Sequence, residues 1–141
     1  MGQVLRVELE QVGAATTAVT VRSHRVWVDR PTAKGGEDRG PLGGEYLLVA
    51  LGGCFMSNLL AAIRARSAPL SDVRVAVSGT MEGTPERFTA FALDVSARHD
   101  DAGEARKLIG IAARACAVTN TLRRAATVSI AFGGSPVEFT D

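Results

Sequence analysis

Residues Tyr46 to Ile63 form a long, mostly apolar stretch with no charged side chain, and it stops at Arg64 and Arg66. A run of that length is close to the shortest membrane-spanning helices, about 17 residues. Gly52, Gly53, Ser57 and Asn58 interrupt its apolar character, and no aromatic belt flanks it, so the reading is a core helix. Leu47, Leu51, Cys54, Phe55, Leu59, Ala62 and Ile63 recur at spacings of three and four, which places Cys54 on the apolar face. Gly52 and Gly53 each cost about 1 kcal/mol relative to alanine inside a helix. That cost predicts a close approach there by another backbone, either a second helix or a dimer partner. Pro69 is expected to close the helix.

Strand patterns surround this helix. Leu5, Val7 and Leu9 alternate with Arg6, Glu8 and Glu10, predicting a first strand over 3–12. Strands follow over 16–22 and 25–30, the latter with Val26 and Val28 on one side and Arg25, Trp27 and Asp29 on the other. The glycine- and proline-rich stretch 31–44 is a loop long enough to be functional or mobile. Val73, Val75 and Val77, then Phe91, Leu93, Val95 and Ala97, predict two strands of an antiparallel hairpin. A second helix starts at Asp100 or Asp101, with Ala105, Leu108, Ile109, Ala112, Ala115 and Cys116 on its apolar face. Thr119 or Asn120 is expected to cap a short third helix. Val128, Ile130 and Phe132 form a last strand, and 133–141 reads as a weakly ordered tail. Strands and helices do not alternate strictly, which argues against a doubly wound parallel sheet and for an α+β fold in a single domain over 1–141.

The net charge of +1, with sixteen lysines and arginines spread along the chain, excludes a nucleic-acid stripe. The opening residues read as a strand and not as an export signal, so the expected location is cytoplasmic, with no membrane partner. Two cysteines are too few for a disulfide scaffold, and in that compartment both are reduced at rest. They are then buried small hydrophobes, metal ligands or reactive thiols. His24 and His99 lack the short spacing of a zinc site, and the loop glycines are not followed by the Lys-Ser/Thr of a phosphate loop, so no metal and no cofactor are expected. Ser57 and Asn58 read as helix-packing groups. Periodicity places both thiols in the core but does not place them together. The short helix after Cys116 favours a thiolate there, whereas Cys54, in mid-helix, needs a cation from elsewhere; Arg25, Arg30 and Arg39 are candidates.

The segment Gly40-Pro41-Leu42-Gly43-Gly44-Glu45-Tyr46-Leu47-Leu48-Val49-Ala50-Leu51-Gly52-Gly53-Cys54 resembles the first cysteine motif of the OsmC/Ohr family. Cys116-Ala117-Val118-Thr119-Asn120-Thr121-Leu122 is similar to the second, and Val26-Trp27-Val28-Asp29-Arg30-Pro31 to the approach to the first. The resemblance implies an OsmC-like α+β fold and an intertwined homodimer with the cysteine helices at its centre. It also implies an oxidative-stress peroxidase. In that role Cys54 attacks an organic hydroperoxide and becomes a sulfenic acid, Cys116 condenses with it to a disulfide, and a small or protein-borne dithiol restores the pair.

Two departures from the family pattern bear on activity. Peroxidase members carry an Arg on the N-terminal hairpin, where this chain has Gly13-Ala14-Ala15-Thr16-Thr17. They also carry a Glu ten residues before the first cysteine, where this chain has Gly44. Glu45 is one residue off, a rotation of about 100° on a helix, and is either an electrostatic organiser of the site or a partner for the helix N-terminus. The alternative function is a non-peroxidase OsmC-like protein that binds a small apolar ligand or senses redox state. A hotdog-fold thioesterase shares the long central helix but accounts for neither cysteine motif.

Overall fold

The apolar run folds as a helix longer than its own length. In the computed structural model, which describes residues 2–140, helix α1 spans Gly43–Arg66. It begins three residues ahead of the apolar stretch because Glu45 Oε1 accepts a hydrogen bond from Leu42 N at 2.8 Å, which satisfies a donor at the helix start. The chain separates into two units, one up to Leu47 and one from Leu48 onward, and α1 carries it from the first to the second.

The first unit holds an antiparallel sheet of β1 (Glu8–Gln11), β2 (Thr17–Val21) and β3 (His24–Val28), in that order. Ala18 and Val19 of β2 are buried. The apolar alternation that predicts β1 is exposed instead, with Leu5 at 84% and Leu9 at 59%. A 3-10 turn at Thr32–Lys34 opens the glycine-rich loop, which is held down at many points and is not free. Asp29 N donates to Pro41 O and Asp38 N to Arg30 O, and the Tyr46 hydroxyl closes onto Trp27 O at 2.7 Å.

The second unit builds a four-stranded sheet in the order β4 (Ser71–Glu82), β5 (Arg87–Arg98), β6 (Thr127–Phe132) and β7 (Ser135–Pro136). Strands β4 and β5 are the expected antiparallel hairpin. Strand β6 pairs parallel to β5, with α2 (Ala102–Ala115) and α3 (Ala117–Leu122) as the crossover. Asp101 caps α2, its carboxylate accepting from Gly103 N at 2.8 Å. The core takes Leu51, Phe55 and Leu59 from α1, alternate residues Phe91, Leu93 and Val95 from β5, and Leu108 and Ile109 from α2. Full burial of each large side chain contributes roughly 1.5–3 kcal/mol. The C-terminal segment expected to be loose is docked. Val137 is 6% exposed and donates to Ile130 O, and Arg106 donates to the Ser135 and Pro136 carbonyls.

The other side of α1 is uncovered. Val49 is 60% and Leu60 46% exposed, and Ala50, Gly53, Ser57 and Ala61 are exposed beside them. By length and composition α1 could cross a membrane, with a mean hydropathy of 1.9 over its most apolar window, of which 22% is buried.

Candidate functional site

Both cysteines lie in the second unit, near enough for Cys54 to influence the Cys116 thiol. Cys54 is half-buried in the middle of α1, and Cys116 is fully buried between α2 and α3. Cys116 leaves the helical region (φ −76°, ψ 110°), which ends α2 and makes the residue the N-cap of α3. Its sulfur accepts a hydrogen bond from Thr119 N at 3.5 Å, so the cap expected from Thr119 or Asn120 is supplied by the thiol itself.

Burial pushes the Cys116 thiol above its ordinary pKa. The Thr119 hydroxyl and backbone N–H pull in the other direction, and the nearby Cys54 adds to the rise. The thiolate that the α3 N-terminus would favour is therefore disfavoured by desolvation, and Cys116 rests as a thiol. The Thr119 side chain is 0% exposed, and among the described residues its hydroxyl makes no hydrogen bond of ordinary geometry.

Cys54 has a neighbour that sequence reasoning set aside. Asn58 lies one helical turn further along α1, and its Nδ2 donates to Cys54 O at 2.9 Å and approaches Cys54 Sγ at 3.9 Å. The i, i+4 spacing was the available signal, since residues so placed on a helix share a face. On the opposite face of α1 from Cys54 and Asn58, an apolar groove of about 450 Å³ is lined by Leu48, Val49, Gly53, Met56, Val75 and Val77. Gly52 is required by the packing under it, because a β-carbon there would lie 2.7 Å from Val77 Cγ2; at Gly53 a β-carbon would meet nothing.

Glu45 is exposed and engaged with Leu42 N. It precedes Cys54 by nine residues, which on a regular helix is half a turn away in angle and about 13.5 Å along the axis. The candidate cations belong to the first unit. Arg39 lies 4.5 Å and Arg25 5.1 Å from the ring centre of Trp27, and Arg25 also pairs with Glu10 at 3.5 Å.

That unit holds a buried acid which the strand alternation groups with Arg25 and Trp27. Asp29 is 2% exposed, whereas Val26 on the apolar side of the alternation is 38% exposed. Asp29 Oδ1 accepts from Arg30 N at 2.7 Å, and Oδ2 accepts from the Thr16 hydroxyl at 2.8 Å, Arg39 N at 3.2 Å and Glu37 N at 3.3 Å. Burial raises the Asp29 pKa, but these donors together outweigh it and hold the carboxyl below its ordinary value. The loop is thus wrapped around a carboxylate. Gly36 lets it close, because a β-carbon there would collide with the Arg30 carbonyl.

No protein of described function matches the chain significantly by sequence. Among solved structures, a hypothetical protein from Aquifex aeolicus superposes with a TM-score of 0.80 at 16% identity, covering 99% of this chain and 100% of its own. The OsmC-like protein from Mycoplasma pneumoniae gives 0.79 at 15% identity, over 94% of this chain and 99% of that one. An organic hydroperoxide resistance protein OsmC from Legionella pneumophila gives 0.71 at 20% identity, over 92% and 96%. At such identities the likeness speaks for the fold. The family model described as OsmC-like protein matches residues 35–131, from the glycine-rich loop to the last long strand and across both cysteine segments. With most of its length covered by that model, the chain belongs to the OsmC-like protein family.

Proposed function

We propose that this protein is a thiol-dependent reductase of organic hydroperoxides that works as a cytoplasmic homodimer. The observation that carries the reading is that Cys54 and Cys116, sixty-two positions apart in the chain, lie close enough for Cys54 to act on the Cys116 thiol. The half-buried thiol is the one a substrate can reach, and the sealed thiol beside it is suited to resolve the product. The thiolate of Cys54 attacks the distal oxygen of the hydroperoxide. An S–O bond forms, the O–O bond breaks, and the alkoxide leaves as the alcohol after taking up a proton. The Cys116 sulfur then displaces the oxygen of the sulfenic acid as water, giving a disulfide. An external dithiol, itself oxidised to a disulfide, returns both cysteines to thiols. The site residues proposed are Cys54 as nucleophile and Cys116 as resolving thiol. Glu45 keeps a proposed electrostatic role only if it organises charge from another subunit, because along its own helix it is remote from Cys54.

The homodimer is supported by apolar surface that one copy leaves uncovered. The outer side of α1 carries Val49 and Leu60, with Gly53 between them small enough for close approach. Leu5, Val7 and Leu9 ahead of and within β1 are likewise exposed. A second copy would cover this surface, whereas a membrane would meet a helix whose opposite side already packs on β4 through Gly52 and Val77.

A second reading, an OsmC-like protein that binds an apolar ligand or senses redox state without turnover, is favoured by the Gly13–Thr17 turn, which lacks arginine, and by Gly44. One assay separates them. Reduced protein is mixed with cumene hydroperoxide and a dithiol, and peroxide is followed with time. The reductase reading expects multiple turnovers in the parent and background loss with Cys54→Ser; equal consumption by both proteins removes Cys54 from the role, and a single turnover or less favours the second reading.

A further inference from the structure

Resting on the reductase reading, the proposed attack needs a negatively charged sulfur at Cys54, yet the hairpin arginine that peroxidase relatives supply is missing from Gly13–Thr17. The side-chain donor that the structure places beside this sulfur, Asn58, is neutral. Asn58 sits in the helix interior between Phe55 and Leu59, where asparagine is a poor helix former and a leucine would serve packing better. Its orientation is fixed by its own helix, because Cys54 O is an acceptor and only the Nδ2 end of the carboxamide can face it, at 2.9 Å. A carboxamide nitrogen has two hydrogens. One is taken by the carbonyl, and the same nitrogen lies 3.9 Å from Cys54 Sγ. We propose that Asn58 is a catalytic residue of this site, its carboxamide donating a hydrogen bond to the Cys54 thiolate in place of an arginine. The contact is long for a thiol and strengthens when the sulfur is charged, since hydrogen bonds to ionised groups are shorter and roughly twice as strong as neutral ones. Asn58 is half-buried, which limits competition from water. The nearby Cys116 thiol, kept protonated by burial, is a second potential donor to the same sulfur.

A donor on a thiolate has two opposed effects. It increases the fraction ionised at neutral pH, and it makes each thiolate less nucleophilic, with a Brønsted coefficient of about 0.4–0.5. Removing it therefore produces a crossing of two pH–rate curves, which a change in packing alone does not. The test is alkylation of the full-length reduced protein by iodoacetamide over a range of pH, with the Cys54 peptide followed by mass spectrometry in the parent and in Asn58→Leu. The midpoint is expected to move up by about one pH unit in Asn58→Leu. The rate below the midpoint falls about threefold and the plateau above it rises about threefold. Asn58→Asp, nearly the same shape but without the N–H donor and with a charge of the wrong sign, moves the midpoint further up and keeps the measurement open if the leucine variant does not fold. Coincident curves, or a uniform scaling without a crossing, overturn the proposal. The readout involves no peroxide. Crossing curves in a protein that turns over no hydroperoxide would therefore sink the reductase reading and leave the thiolate contact standing.

Discussion

Replacing Gly52 by alanine sets two known effects against each other at the helix that carries Cys54. Alanine in place of a helix-interior glycine stabilises by about 1 kcal/mol when nothing else changes. At Gly52 the added β-carbon would sit 2.7 Å from Val77 Cγ2, well inside van der Waals contact, so α1 or the β4 side chain must give way. Overpacking of this kind costs roughly 1–3 kcal/mol. The net expectation for Gly52→Ala is a loss of about 0–2 kcal/mol. Truncating the neighbour removes the clash and leaves the propensity gain, so in a Val77→Ala background the same change stabilises by about 1 kcal/mol. The assay is urea unfolding of the four members of the cycle, followed by circular dichroism. A coupling of about 1–3 kcal/mol, with the sign of the Gly52 effect reversing between backgrounds, is the predicted outcome. If Gly52→Ala stabilises equally in both backgrounds, the close approach of α1 to β4 is refuted, and with it the account of why a glycine precedes the cysteine segment.

Two further predictions concern the first unit and the uncovered helix face. Because the Asp29 carboxyl is held below its ordinary value in the folded state, its contribution to stability is present above about pH 4 and is lost as pH falls through the lower folded value. The sole tryptophan, Trp27, lies beside this loop, so its fluorescence is expected to report an acid transition in the parent that Asp29→Asn lacks; an identical transition in both would remove Asp29 from that role. At Gly53 a β-carbon meets nothing within 4 Å, so Gly53→Leu is expected to gain roughly 0.8–1 kcal/mol of helix propensity and yet to split a dimer that uses this side of α1. Light scattering after size exclusion measures this, and a Gly53→Leu protein as dimeric as its parent would show that the helix face is not the interface.

Local patterns made the main elements readable, and non-local contacts decided the rest. The three- and four-residue spacing around Cys54 marks α1, and Asp101 caps α2 as a residue of its type should. The parallel pairing of β5 with β6 was not legible, because strand alternation describes the two faces of one strand and says nothing of its neighbours. The burial of Asp29 is not legible for a related reason: it is produced by backbone donors from Arg30, Glu37 and Arg39, which a loop brings over the end of β3. At the site, resemblance pointed to the two cysteines and periodicity put both in the core, but only the fold brings one sulfur to the other. The capping role of the Cys116 sulfur depends on an extended backbone at that residue, which the sequence does not display. Asn58 was set aside because a polar residue in an apolar helix reads first as a packing group; its contact with Cys54 becomes visible once the carboxamide orientation is known.

The measurement closest to the central claim is the covalent state of the two sulfurs after one equivalent of an organic hydroperoxide. Reduced protein, quenched with acid and digested without reductant, should yield the Cys54 and Cys116 peptides joined by a disulfide within one chain, two hydrogens lighter than the separate thiols. Recovery of Cys116 as a free thiol, with Cys54 either untouched or carried on to the sulfinic acid, would contradict the account.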